Sequence, residues 1–273
     1  MKITENKSLQ TQVQLDLESS KSIIARIELN QMLSLPFLSQ LPTPGETMHF
    51  CRTIRNRRRQ RLGLPAPSVS QLEMWSQEQN CSFLFTESFS SQTSKDFPVS
   101  LVEAIQEVDL PTIWALRFED YWTKPLTCVD LLKMLVLHAL QVNLGALTTA
   151  PYPITVAALR DAAEEKDWLV ILNRALYGVS ILYIILDAEV LDQMTRHRPY
   201  IATRLLELFP RILSSTIIKI VVSAAVIDES YVRRNWDQDR WTKIMISNLM
   251  GKRKLEMRRS APIQQRIKRR RRQ

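Results

Sequence analysis

A chain of 273 residues that is 45% hydrophobic and 24% charged can bury one large core or two small ones, which excludes disorder throughout. Its net charge of +9 is unevenly placed: residues 252–273 hold eleven Lys/Arg and one Glu, so 37 minus 11 cations face 28 minus 1 acids in the rest, about −1. Cys51, Cys81 and Cys128 are odd in number and widely spaced, which speaks against a secreted disulfide framework or a CxxC metal site and for a reducing, intracellular compartment.

In chain order, residues 1 to about 40 read as a polar lead-in with a short helix or strand around Ser22 to Leu38, and without the apolar stretch of a secretory signal. LPTPGETMHF, residues 41–50, reads as a turn feeding a helix capped by Thr47, which Gly63 would stop. Residues 65–80, rich in Pro, Ser and Gln, read as a linker. From Cys81 onward strand-like and helix-like segments alternate, as in an α/β sheet with crossover helices.

The expected strands are SFLFTES after Cys81, PTIWALRF at 111–118, Ile181–Leu186, Ile217–Ser223 and an edge strand at Trp241–Ile246. Between them lie expected helices at 97–108, at 130–143 with Thr127 and Asp130 as its cap and Gly145 as its end, at 156–166, at 168–176 closed by Gly178, and at 200–213. Continuous apolar strands suit a parallel sheet covered on both faces. Val179–Leu186 and Ile217–Ile227 are too short or too interrupted to span a membrane.

The stretch SILYIILDAEVLD, residues 180–192, carries a strand-tip acid, Asp187, followed by Glu189, as P-loop NTPases present a magnesium-binding carboxylate. Their phosphate loop needs glycines whose backbone N–H groups close around the phosphates. No glycine lies between Gly63 and Gly145, and the one segment placed to serve, residues 86–97, has Phe89 and Ser94 at the glycine positions, then Lys95, then Asp96 in place of the magnesium-ligating hydroxyl.

PTIWALRFEDYW, DLLKMLVLHALQVN, LYIILDAEVLD and IIKIVVSA together resemble the NTPase-like module of fungal STAND proteins, relatives of the NACHT regulators, over roughly residues 81–241; LPTPGETMHFCRTIRNRRRQ looks like the segment that precedes it. The resemblance implies that Asp187, with Glu189 nearby, stands at the second nucleotide-binding motif, that Ser223 ends the sensor strand, and that Ser94 and Lys95 stand where phosphate would be held. The plainer reading of Asp187 is a helix cap or turn residue. The resembled regulators carry sensing repeats after this module; these 273 residues do not.

Arg52, Arg55, Arg58 and Arg59 share one face of the helix after residue 44 and offer a phosphate-facing stripe, or else a face paired with acids elsewhere. Lys252, Arg253, Lys254, Arg258, Arg259, Lys268, Arg269, Arg270, Arg271 and Arg272 make two basic groups around a Pro-containing spacer, a composition for a disordered tail open to importin or to nonspecific nucleic acid. His49, His138 and His197 have no metal-ligand spacing, Cys128 has no paired base in sequence, and Trp114, Trp122, Trp168, Trp236 and Trp241 read as packing residues.

These features predict an α/β three-layer sandwich with a mostly parallel central sheet of the P-loop NTPase-like kind. A helical lead-in and linker would occupy 1–80, the domain 81–250 and the basic tail 251–273. The expected function is non-enzymatic regulation or interaction in the nucleus, with no cofactor, no metal and an unknown protein partner. The alternatives are a weak binder or hydrolase of ATP or GTP with magnesium, a basic nucleic-acid-binding protein, and a cytoplasmic location.

Overall fold

A computed structural model of the chain describes residues 2–62, 70–88, 91–123, 126–195, 209, 213, 216–224 and 241–246. Five strands, β1 (Ser82–Ser88), β2 (Thr112–Ala115), β3 (Ile181–Asp187), β4 (Ile217–Ala224) and β5 (Trp241–Ile246), form one sheet in the order β2-β3-β4-β1-β5. Every pairing is parallel. All five expected strands are present, the edge strand included, but the one expected over 111–118 is shorter, Thr112–Ala115.

Alternation along the strands divides the interior into two cores, and this makes the three layers. Phe83, Phe85, Ile113, Leu182, Ile184, Ile218 and Ile220 pack on one face with α6 (Cys128–Val142) and α9 (Glu165–Ala175). Leu84, Trp114, Tyr183, Ile185 and Val221 pack on the other with α3 (Pro44–Leu62) and α5 (Ser91–Glu107). At the open edge of the sheet the N–H of Trp114 donates to Nδ1 of His138 at 3.2 Å. Burial drives the pKa of that imidazole down to about 3, so it stays neutral and able to accept.

Several local expectations are corrected. The lead-in is a 32-residue helix, α1 (Lys2–Leu33), followed by the short α2 (Pro36–Ser39). The first 35 residues contain neither Gly nor Pro. Ala25, Leu29 and Met32, spaced four and three apart, bury one stripe of α1 in the core that holds α6 and α9. Helix α3 starts earlier than expected, because Thr43 and Glu46 make the capping box: the Thr43 N–H donates to Oε2 of Glu46 at 2.8 Å and the Glu46 N–H to Oγ1 of Thr43 at 3.2 Å. The hydroxyl of Thr47 instead donates to the carbonyl of Pro44.

Part of the expected linker is helix α4 (Ser70–Gln77), anchored by the buried Trp75 edge-on to Tyr183. The Thr127/Asp130 capping box of α6 is as expected, but Asn143 closes that helix and Gly145 precedes the short α7 (Ala146–Thr149). The expected helix over 156–166 is shorter, α8 (Val156–Asp161), and α9 begins at Glu165 through a box of Glu164 and Asp167. Gly178, at φ 81°, makes the left-handed turn into β3. After β3 the chain enters α10 (Ala188–Thr195) at once, a helix not foreseen; the one expected over 200–213 lies outside the described residues apart from 209 and 213. Trp122 is 61% exposed and does not pack as expected. No described helix is long and apolar enough to cross a membrane.

Candidate functional site at the carboxyl end of the sheet

Parallel α/β sheets offer ligands the carboxyl ends of their strands. There β3 ends in Asp187, which pairs in register with Ser223 of β4, which in turn pairs with Thr86 of β1. Asp187 and Ser223 are buried. β4, the sensor strand of the resemblance, thus stands between the acidic strand and the strand that leads toward α5.

The expected phosphate loop over 86–97 is corrected: β1 continues to Ser88 and α5 starts at Ser91, so Ser94, Lys95 and Asp96 lie within helix. Pro98 sits inside α5. A proline has no N–H, so the carbonyl four residues earlier loses its helical donor. That carbonyl belongs to Ser94, and the Ser223 hydroxyl donates to it at 2.8 Å. Ser223 and Ser94 do meet, through a repair of helix geometry.

The charges at the strand tips are paired with one another. Arg117, just beyond β2, donates from Nε to Oδ2 of Asp187 at 2.6 Å and from Nη2 to the carbonyl of Lys95 at 3.0 Å. The side chains of Arg117 and Asp187 are 6% and 4% exposed, so the pair is shut off from water. The other oxygen of Asp187 accepts from the N–H of Glu189 at 3.0 Å. Lys95 Nζ lies 2.7 Å from Oε1 of Glu189, and the Tyr121 hydroxyl donates to Oε2 of the same carboxylate at 2.5 Å.

Electrostatics follow from this geometry. Burial raises the Asp187 carboxyl above its usual range, while Arg117 and the Glu189 N–H pull it back. Arg117, against the cost of its own burial, is held more firmly protonated by Asp187. Glu189, although burial would raise it, is lowered by hydrogen bonds from Lys95 and Tyr121. The Cys51 thiol donates to the carbonyl of Arg117 at 3.3 Å, and burial pushes its pKa up to about 11.

The second basic cluster faces α5. Arg55, 5% exposed, holds Glu103 through both terminal nitrogens, at 2.5 and 2.7 Å, and Ser100 at 3.2 Å. Arg52 reaches the same carboxylate at 2.9 Å, and Arg58 reaches Asp96 at 3.0 Å. The side chain of Arg59 lies outside the described residues. Of the two readings of this stripe, pairing with acids elsewhere describes Arg52, Arg55 and Arg58. All the basic residues of 252–273 lie outside the described residues.

Sequence reasoning missed Arg117, Tyr121 and Glu103. A signal for Arg117 was present: a lone cation set in the apolar run TIWALRF cannot be buried unless an acid meets it. Magnesium holding a nucleotide would need carboxylate oxygen open toward the phosphates and a hydroxyl ligand from the loop. Here Arg117 and an N–H take the two oxygens of Asp187, and Asp96, bonded to Arg58, stands in the hydroxyl's place. These residues do not fit that group. No model of a known protein family matches the sequence, and no curated protein matches it.

Proposed function

We propose that this chain is a non-enzymatic regulatory or interaction protein on a degenerate, STAND-like P-loop NTPase scaffold. The observation that carries the reading is the guanidinium of Arg117 on Asp187 at 2.6 Å, which puts a protein cation where a metal-nucleotide would bring its own. Three features support it: the all-parallel sheet, the acid at the tip of β3, and the helix that follows β1. Lys95 points the same way, since its ammonium is engaged by Glu189 rather than offered to phosphate. The fold is then kept for its surfaces.

Titration calorimetry of the full chain with Mg·ATP and Mg·GTP tests this. The expected result is no saturable heat at millimolar nucleotide. Submicromolar, magnesium-dependent binding that Lys95→Ala abolishes would replace this reading with that of a nucleotide-binding switch. The eleven cations of residues 252–273 favour a nuclear address read by importin, with nonspecific nucleic-acid affinity from the same charges. Neutralising Lys268 to Arg272 in a fluorescent fusion is expected to move the protein to the cytoplasm; unchanged nuclear accumulation contradicts the address.

A further inference from the structure

Helix α1 carries two apolar stripes, and its own domain buries only one of them. Ala25, Leu29 and Met32 are buried, where α1 meets α6, α7 and α8. Val13, Leu17, Ile24 and Ile27 are 51–59% exposed. At about 100° per residue this second stripe lies about 130° round the helix from the first. From Gln10 to Ile24 every residue is exposed, a stretch that rises about 22 Å. A helical stretch this short is marginal in water on its own, because most helical stability comes from packing an apolar face.

The exposed stripe has the spacing of a coiled-coil seam. Val13, Leu17, Ser20, Ile24 and Ile27 follow one another at intervals of four, three, four and three residues, the alternation of d and a positions in a heptad. Gln10 and Gln31 continue the alternation at either end, and Ile23 widens the apolar strip from a flanking g position. Asp16 also falls at g, and Lys21 at the next e. In a parallel pair of helices a g residue meets the e residue five positions on in its neighbour, so Asp16 would face Lys21 of the other copy, twice by symmetry. An antiparallel pair that set Leu17 against Ile27 would instead place Lys21 beside its own copy.

We infer that α1 pairs with α1 of a second copy of this chain, as a parallel two-stranded coiled coil along Val13, Leu17, Ser20, Ile24 and Ile27. The second copy supplies the packing that the domain does not give residues 10–24, and the Asp16–Lys21 pairs fix its direction. Because the buried stripe points about 130° away from the seam, the two domains stand on the outer sides of the pair. The polar Ser20 in mid-seam holds the register at a cost in strength. The inference rests on the exposed face of α1 and stands whether or not nucleotide binds.

Sedimentation equilibrium of the full chain tests it, at about 100 µM, where a micromolar contact is nearly saturated. The expected result is twice the chain mass. Leu17→Asp with Ile24→Asp, both at exposed positions, should weaken association about a hundredfold or more by burying like charges in the seam, while near-ultraviolet circular dichroism of the core tryptophans stays unchanged. A monomeric wild type, a larger assembly, or a dimer that survives the double substitution overturns the inference. Direction is read by oxidation: Ser20→Cys should link two chains well above the level given by the wild type's own Cys51, Cys81 and Cys128, and Ser22→Cys, on the far side of the helix from the seam, should not. No link at position 20, or equal links at both, overturns the parallel seam. Lys21→Asp should weaken the dimer about threefold or more, and adding Asp16→Lys should restore it. Failure of that rescue also overturns the parallel register.

Discussion

The two ends of the sheet bury charge in different ways. At the carboxyl end Arg117 and Asp187 are a buried pair of opposite sign, with Lys95 and Glu189 closing a second pair beside them. At the amino end Lys219, wholly buried, is held mainly by neutral groups: its ammonium donates to the carbonyl of Trp75 at 3.1 Å and to the Ser82 hydroxyl at 3.0 Å and lies over the Trp75 ring, with the half-exposed Glu78 at the longer distance of 3.9 Å. Burial lowers the pKa of Lys219. A charge met by neutral dipoles stays sensitive to solvent and pH, whereas paired charges have satisfied each other. The end at which an NTPase would do chemistry is the more completely closed, while the opposite end uses its charge to fasten α4 to the sheet.

Breaking the carboxyl-end pair should have the largest effect. Asp187→Ala leaves a guanidinium buried without its acid, so urea denaturation should show a loss of about 3–5 kcal/mol. This exceeds the roughly 1 kcal/mol of a cap residue, which is all that a strand-tip turn acid would be worth. A loss of cap size would mean that Arg117 finds water or another partner.

Next comes a pH effect at the same end. The Cys51 pKa is about 11 in the folded chain against 9.0 ordinarily, so between these values the unfolded chain gives up the proton first and stability falls as pH rises. The full loss is about 2–3 kcal/mol. Denaturation of wild type and Cys51→Ala between those pH values checks it: the alkaline decline should be shallower in the variant. Equal declines would show that the thiol is accessible.

Ser223→Ala removes the donor for the Ser94 carbonyl and should cost about 1–2 kcal/mol. In a Pro98→Ala background the helix regains an N–H for that carbonyl, and the same substitution should cost clearly less. An equal cost in both backgrounds would detach Ser223 from the repair of α5.

The smallest effect belongs to the amino end. Lys219→Met trades a desolvated charge for an apolar chain of similar length, and should change stability by about 1 kcal/mol or less. The sign of its pH dependence sharpens the comparison. Because the folded pKa lies below 10.5, the unfolded chain holds more protons between the two values, so wild type should gain on Lys219→Met as pH rises through that window. A gain as pH falls would mean that Glu78 dominates the lysine.

What the sequence disclosed and what it hid have physical reasons. The strands could be read because a sheet buried on both faces demands unbroken apolar runs such as IIKIVVSA. Helix α1 hid because its apolar residues fall on two faces: Ala25, Leu29 and Met32 are buried, while Val13, Leu17, Ile24 and Ile27 stay exposed, so no single stripe emerges. The start of α5 hid because Pro98 reads locally as a boundary, and only β4, more than a hundred residues later, supplies the hydroxyl that lets the helix run through it. Asp187 was legible as a strand-tip acid. That an arginine from β2's end would hold it was not, since partners 70 residues apart meet only through strand order.

The claim that the strand-tip charges serve one another is tested most directly by a double-mutant cycle of Arg117→Ala and Asp187→Ala in urea denaturation. The account predicts strong coupling: Arg117→Ala should cost about 3 kcal/mol or more in wild type and at least about 2 kcal/mol less once Asp187 is gone. Additive losses would contradict it, because Asp187 would then be a carboxylate held for something other than Arg117.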